Sequence, residues 1–393
     1  GFFQNSEIKA GSQAKGFNSH FLGFNSFWIK TDSDKIFLMK KNKFFFVIFV
    51  LTFLLSKTPV LADMTVKIGD DYSYQTLNEA LNALPKNAGV VTFQLMNDLD
   101  NSADAVISVP DDKGITELKI LCGKSEGVVK AGNIFQMFAN GIPFLLGSSV
   151  EMDNAWIFGG AQADSKRIRK VQSTKVTING LVAYVFGGGG AFSGGTSTVA
   201  GTSEVELGES GKIYWEIFGG GLAQGEGSHA EVADTKLNIY GETDYALAGG
   251  LAQDGGTATV GKTSSLSIMA DGKVNIALFG GGSAVGKGSI YETRDSFVNI
   301  YGNVAWAFGG DFVYQGGTSY LSGTANVFLD QNGKAKAVYG GSFATDPDSK
   351  AEVNQTKVEV RGIAETMTEC GEHSNDGISI VRSKIDCTVN SVP

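Results

Sequence analysis

Residues 155–160 read AWIFGG, and the line returns at regular spacing as AYVFGG (183–188), WEIFGG (215–220), YALAGG (245–250), IALFGG (276–281), AWAFGG (305–310) and KAVYGG (336–341). The glycine pairs begin at Gly159, Gly187, Gly219, Gly249, Gly280, Gly309 and Gly340, at intervals of 28, 32, 30, 31, 29 and 31 residues. A fixed period of this length is the mark of a repeat architecture. A second line lies later in each unit, as in TKVTING, SEVELGE, TKLNIYG and SFVNIYG. Its apolar pairs, from Val176/Ile178 through Leu237/Ile239 to Val358/Val360, alternate with polar residues as a half-buried strand does. A weaker column runs through Val199, Val232, Val260, Tyr291, Leu321, Val353 and Val381. An eighth, decayed unit spans 363–390, with Cys370-Gly371 in the glycine place and Ile385/Cys387 at the inward positions.

Three short strands per unit, repeated in register, predict an all-β, right-handed, single-stranded parallel β-helix. It has about eight coils of ~30 residues whose like strands stack into long sheets. The Phe column before the glycine pairs becomes a ladder. No proline lies between Pro143 and Pro347, as uninterrupted ladders require. A kelch-type propeller needs units of about 50 residues and is too long for this period. The calcium-binding nonapeptide roll needs repeated Asp ligands that the glycine-rich line GGGGAFSGGTST lacks.

A solenoid must cover its first open coil. Thr76-Leu77-Asn78-Glu79 forms a capping-box sequence, and Leu77, Ala80, Leu81 and Leu84 share one helical face that Pro85 ends. Strand-like runs follow at 90–96, 105–110 and 116–122. The expected organisation is a non-native upstream segment at 1–38, a signal peptide at 39–62, a small α+β cap with the first coils at 63–153, and the glycine-rich coils at 154–393. The signal peptide is read from Met39, Lys40, Lys41 and Lys43, the apolar run 44–55, and Val60-Leu61-Ala62. The apolar run is too short for a bilayer span, which needs about 20 residues. Residues 1–62 carry eight lysines against three acids, so losing a leader there moves the formal charge from −9 to −14.

The line YSYQTLNEALNALPKNAGVVTFQL with ISVPDDKGITELKIL resembles the opening of right-handed parallel β-helix proteins of the pectin-lyase-like group. The VYGGG-like repeats resemble glycine-rich β-helix surface proteins and adhesins of bacteria. The resemblance implies a capped β-helix; it is weak for activity, because the fold hosts many functions.

The carbohydrate-active members of that group carry clustered Asp ligands with a basic catalyst, or NTD, DD, GHG and RIK lines, and none occurs here. Gly310-Asp311-Phe312-Val313-Tyr314 faintly resembles one pectin methylesterase line, without its supporting motifs, and reads as a turn with an exposed Asp. His229 and His373 lie in separate polar turns with no zinc spacing. Asp254, Asp295, Asp311, Asp346 and Asp348 are spread through turns, where they solubilise; the alternative is a weak Ca2+ site, and no other cofactor is expected. The basic run 166–170 reads as a solvated loop. The acidic balance disfavours nucleic acid. Cys370 and Cys387 are either a disulfide pair or free thiols; Cys122 has no evident partner.

Trp156, Tyr184 and Trp306 share the third place before the glycine pair, which is Glu216, Ala246, Ala277 or Ala337 in other units. Facing outward, they are platforms for sugar rings or a partner surface; facing inward, they are core fillers. The sequence thus leads to a secreted or cell-surface, adhesin-like, non-catalytic module with no transmembrane helix in its mature part, whose partner is a glycan or a host or matrix protein. A polysaccharide-active β-helix enzyme and a structural spacer of a larger surface protein are the alternatives.

Overall fold

The computed structural model describes residues 26–30, 36–40, 63–102, 105–369 and 373–389. The chain divides into two compact units, Gly1–Val60 and Leu61–Pro393. In the first, Ser26–Lys30 pairs antiparallel with Ile36–Lys40. Residues 41–62, which hold most of the leader sequence, lie outside the described residues.

The second unit is a parallel β-solenoid. Twelve strands, from Met64–Ile68 to Ile378–Val389, follow one another along its longest sheet, so the chain makes about eleven turns. The stretch before residue 153 supplies coils beyond the eight expected. The helix Leu77–Ala83 forms with its capping box intact, Thr76 Oγ1 accepting from Glu79 N–H and Glu79 Oε2 accepting from Thr76 N–H. Leu77, Ala80, Leu81 and Leu84 are all buried against the core.

One coil illustrates the rest. The long strand Thr196–Leu207 leads to Lys212–Phe218, the chain crosses Gly219-Gly220, and the three-residue strand Leu222–Gln224 leads to the next long strand, His229–Ile239. The two alternating columns read from the sequence are therefore halves of one long strand. A register shift at its middle, between Val199 and Thr202 here, bends it. The true third sheet is the stack of three-residue strands just past the glycines, such as Leu222–Gln224, Leu251–Gln253 and Phe343–Thr345. These are short enough to pass for turns in the sequence. Thr293 rather than Tyr291 aligns with Val260 and Leu321, and Tyr291 lies two residues earlier, beside Ala258 and Ser319.

The glycines make a waist. Hydroxyls midway along the long strands donate to carbonyls of the crossing chain: Ser203 to Gly219 O (2.7 Å), Thr235 to Ala248 O (2.6 Å) and Ser264 to Gly280 O (2.6 Å). At the second glycine place there is no room for a side chain. A Cβ on Gly220 would stand 2.7 Å from Gly250 N and 2.9 Å from Gly249 C. The waist splits the interior into two lobes. The larger holds the Val205/Leu207 and Ile213/Ile217 columns; the smaller holds Ala223, Ala230, Ala252 and Ala258.

Several positions lie otherwise than the sequence suggests. Asp311 is fully buried, not exposed in a turn, because it follows the waist into the smaller lobe. The basic run contains the strand Ile168–Val171, paired with Thr196–Val199, and Arg169 meets Asp111 at 2.6 Å. His229 and His373 each begin a strand. In the last long strand Ile385 falls in a register shift and is 55% exposed, and Cys387 rather than Ile385 stands opposite Val358. Cys387 is disulfide-bonded and Cys122 is a free thiol. Cys370, the expected partner of Cys387, lies outside the described residues.

Candidate functional site

The angle between the second and third sheets, on the outer side of the waist, holds a separate apolar cluster. Ile157 and Phe158 are neighbours on a strand, so they face opposite sides of the sheet. Ile157 joins the main core and Phe158 joins the outer cluster. The column Phe158, Phe186, Phe218, Leu247, Phe279, Phe308, Tyr339 is thus an outward column, yet it is buried. Its rings stack one coil on the next, with centroids 4.8 Å apart for Phe158 and Phe186 and 4.7 Å for Phe186 and Phe218. Leu222, Leu251, Phe312 and Phe343 from the three-residue strands cover it from the other wall. Phe192 lays its ring over Gly190, at the position where the next coil places Leu222.

Beside this buried column runs a half-buried one. Register places Trp156, Tyr184, Glu216, Tyr245, Ala277, Trp306 and Ala337 in line. Trp156, Tyr184 and Trp306 therefore do share one column, and it faces outward. They pack against the outer cluster while leaving part of each ring in solvent. Trp156 lies 5.1 Å from Tyr184 and 5.4 Å from Phe135, which is 49% exposed. The alignment of the fourth unit shifts by one residue. Ala248-Gly249 is the pair that crosses the waist there, since Ala248 N–H bonds Phe279 O as Gly219 N–H bonds Leu247 O. This moves Ala246 inward and puts Tyr245, unremarked in the sequence, into the aromatic column.

Glu216 sits between Tyr184 and Tyr245. Among the described residues its carboxyl has no hydrogen-bond or ion-pair partner. Burial pushes its pKa up to about 7, with no contribution from any second charge. Burial, then the Glu216 charge, raises the hydroxyls of Tyr184, Tyr245 and Tyr314 above their usual range. Tyr314 comes from the third sheet, where it stacks on Phe312 at 5.0 Å, and feels Glu216, Tyr184 and Tyr245 together. Tyr184 and Tyr245 thus flank one unpaired carboxyl along the column, and Tyr314 lies three coils further along the third sheet. Two residues that bulge from the strand before it, Tyr214 and Trp215, are 44% and 55% exposed.

Among the described residues no three His, Cys, Asp or Glu side chains stand close enough to hold a metal ion. Asp254 and Asp346 occupy turns with positive φ, and Asp295 bonds Thr324 N–H and Arg294 instead of gathering with other acids. No helix among these residues is long and apolar enough to cross a membrane. No protein-family model matches the chain, and neither a curated protein nor a solved structure shows significant similarity to it.

Proposed function

We propose that the chain is an exported, non-catalytic, adhesin-like module that holds a glycan along its aromatic face. The observation that carries this is the outward column Trp156, Tyr184, Glu216, Tyr245 and Trp306, with Trp215 beside it. Aromatic rings with apolar faces and polar edges suit pyranose rings, which have both kinds of surface. Successive coils lie about 4.8 Å apart, close to the length of one sugar unit in an extended chain. A rigid stack of platforms along the axis therefore matches a linear polymer. Export rests on the leader sequence at 39–62, and a surface role on the resemblance to glycine-rich β-helix surface proteins. The test is an array of glycans and matrix proteins probed with the purified protein, with lyase and hydrolase assays alongside. Binding without turnover is expected. Release of reducing or unsaturated sugars would overturn the non-catalytic reading, and binding confined to matrix proteins would overturn the glycan.

Glu216 favours one second reading, a polysaccharide-cleaving enzyme with this residue as general acid, since its pKa of about 7 suits that role. Hydrolysis by a carboxyl pair needs a second carboxyl within roughly 5–10 Å. The column neighbours of Glu216 are Tyr184 and Tyr245, and no second carboxyl shares its column. The binding reading therefore stands ahead.

A further inference from the structure

We propose that Glu216, flanked by Tyr184 and Tyr245, binds an organic ammonium group, carried by a free amino sugar in the glycan on the aromatic face. The proposal rests on the glycan reading above and adds the chemistry that selects among glycans.

Buried acids in folded proteins are paired or hydrogen-bonded, because desolvating a lone carboxylate is costly. Glu216 is half-buried and unpartnered, although its chain has other uses for that position: the same place is alanine at residues 277 and 337. The two flanking tyrosines offer aromatic rings and no positive charge. A cation near an aromatic face is attracted by the ring, and more strongly when both are desolvated. A carboxylate at the base of such a ring set supplies a full opposite charge. Neutral sugars would leave that charge unmet, and an anionic sugar would meet repulsion, from Glu216 and from a chain of net charge −9. An ammonium substituent on a stacked pyranose satisfies both features at once.

Titration follows from the same geometry. Flanking Glu216 are Tyr184 on the preceding coil and Tyr245 on the following coil; Asp244 lies beside Tyr245, and the charge of Glu216 also reaches Tyr314 on the third sheet. Glu216 passes from neutral to charged near pH 7, so a permanently charged ammonium ion binds better above that pH than below it.

The experiment uses the full chain with three β-1,4-linked hexamers: glucosamine, N-acetylglucosamine and glucose. Tetramethylammonium serves as the permanently charged probe, and calorimetry is read from pH 5.5 to 8.5. The glucosamine hexamer should bind about tenfold or more tightly than its acetylated and neutral counterparts, the scale of one charge-assisted contact. Tetramethylammonium binding should strengthen as pH rises through about 7. Glu216→Gln, which keeps the neutral shape and so the fold, should erase both effects; a denaturation midpoint at least equal to that of the parent checks folding. Equal binding of all three hexamers, unmoved by Glu216→Gln, overturns the ammonium site and leaves the glycan face standing. Tetramethylammonium binding lost in Glu216→Gln, with no hexamer bound, supports the site and overturns the glycan. No binding of any probe overturns both.

Discussion

Replacing Asp311 by asparagine should stabilise the protein at neutral and alkaline pH. Asp311 is fully buried; Oδ1 accepts the Gly282 N–H at 3.3 Å and Oδ2 has no hydrogen-bond partner. Burial pushes its pKa from 3.8 to about 7. The folded chain therefore holds a proton between these values that the unfolded chain releases. A raised acid pKa means that stability falls as pH rises through that window and stays low above it. At about 1.4 kcal/mol per pH unit the full loss is on the order of 4 kcal/mol. Water entry and local relaxation reduce it, so about 2–4 kcal/mol is expected. Asparagine keeps the acceptor for Gly282 and stays neutral at every pH. Urea denaturation followed by circular dichroism at pH 4, 6 and 8 measures the difference. The variant should match the parent near pH 4 and exceed it by about 2–4 kcal/mol at pH 8. Glu216 contributes a slope of the same sign, so both proteins are compared in a Glu216→Gln background as well. Parallel pH profiles for parent and variant would refute the buried-charge argument, as would a variant less stable at pH 8.

Three further outcomes follow from the waist and the outer cluster. Gly219→Ala and Gly220→Ala should each cost about 3 kcal/mol, the upper end for forced overpacking, because a Cβ would stand 2.3 Å from Ala248 O at the first place and 2.7 Å from Gly250 N at the second; denaturation midpoints of the two variants check this. Ser264→Ala removes the 2.6 Å bond to Gly280 O and should lower stability by about 1–2 kcal/mol, while a threonine there retains it, as Thr235 does one coil earlier. Phe308→Ala takes out a ring stacked at 4.9 Å on Phe279 and 4.8 Å on Tyr339, for a loss of about 3–5 kcal/mol by the same measurement.

The sequence carried the solenoid because its columns repeat: the Phe and glycine lines and the alternating pairs each recur on a single period. The N-terminal helix was equally legible, since Thr76 and Glu79 announce a cap by local chemistry alone. Elements whose meaning depends on the opposite wall were not. The short strands offer one inward residue each, and the only trace is a column of Ala191, Ala223, Ala252 and Ala284. The Ser203, Thr235, Ser264 and Ser296 column heads the alternating pairs in plain sight, but a hydroxyl does not say which carbonyl it will meet. Of the site, Trp156, Tyr184 and Trp306 were visible as a column and Glu216 as an exception within it. Tyr245 was hidden by a one-residue slip, because Gly249-Gly250 looks like the pair when Ala248-Gly249 is the one that crosses. Tyr314 feels the Glu216 charge from another sheet, a relation that its own strand does not announce.

The waist turns a tube into a channel section. A closed tube offers only its rim and its outside, and its inside is spent on core. Folding the wall inward at each glycine pair creates a gutter along the coils from Gly159 to Gly341, floored by the buried outer cluster, while the interior stays packed. Such a profile can be lengthened coil by coil: one duplicated unit of about 30 residues adds about 4.8 Å of gutter and leaves the cross-section unchanged. Reach along a polymer is then a matter of copy number, and selectivity a matter of which side chain each copy hangs in the gutter.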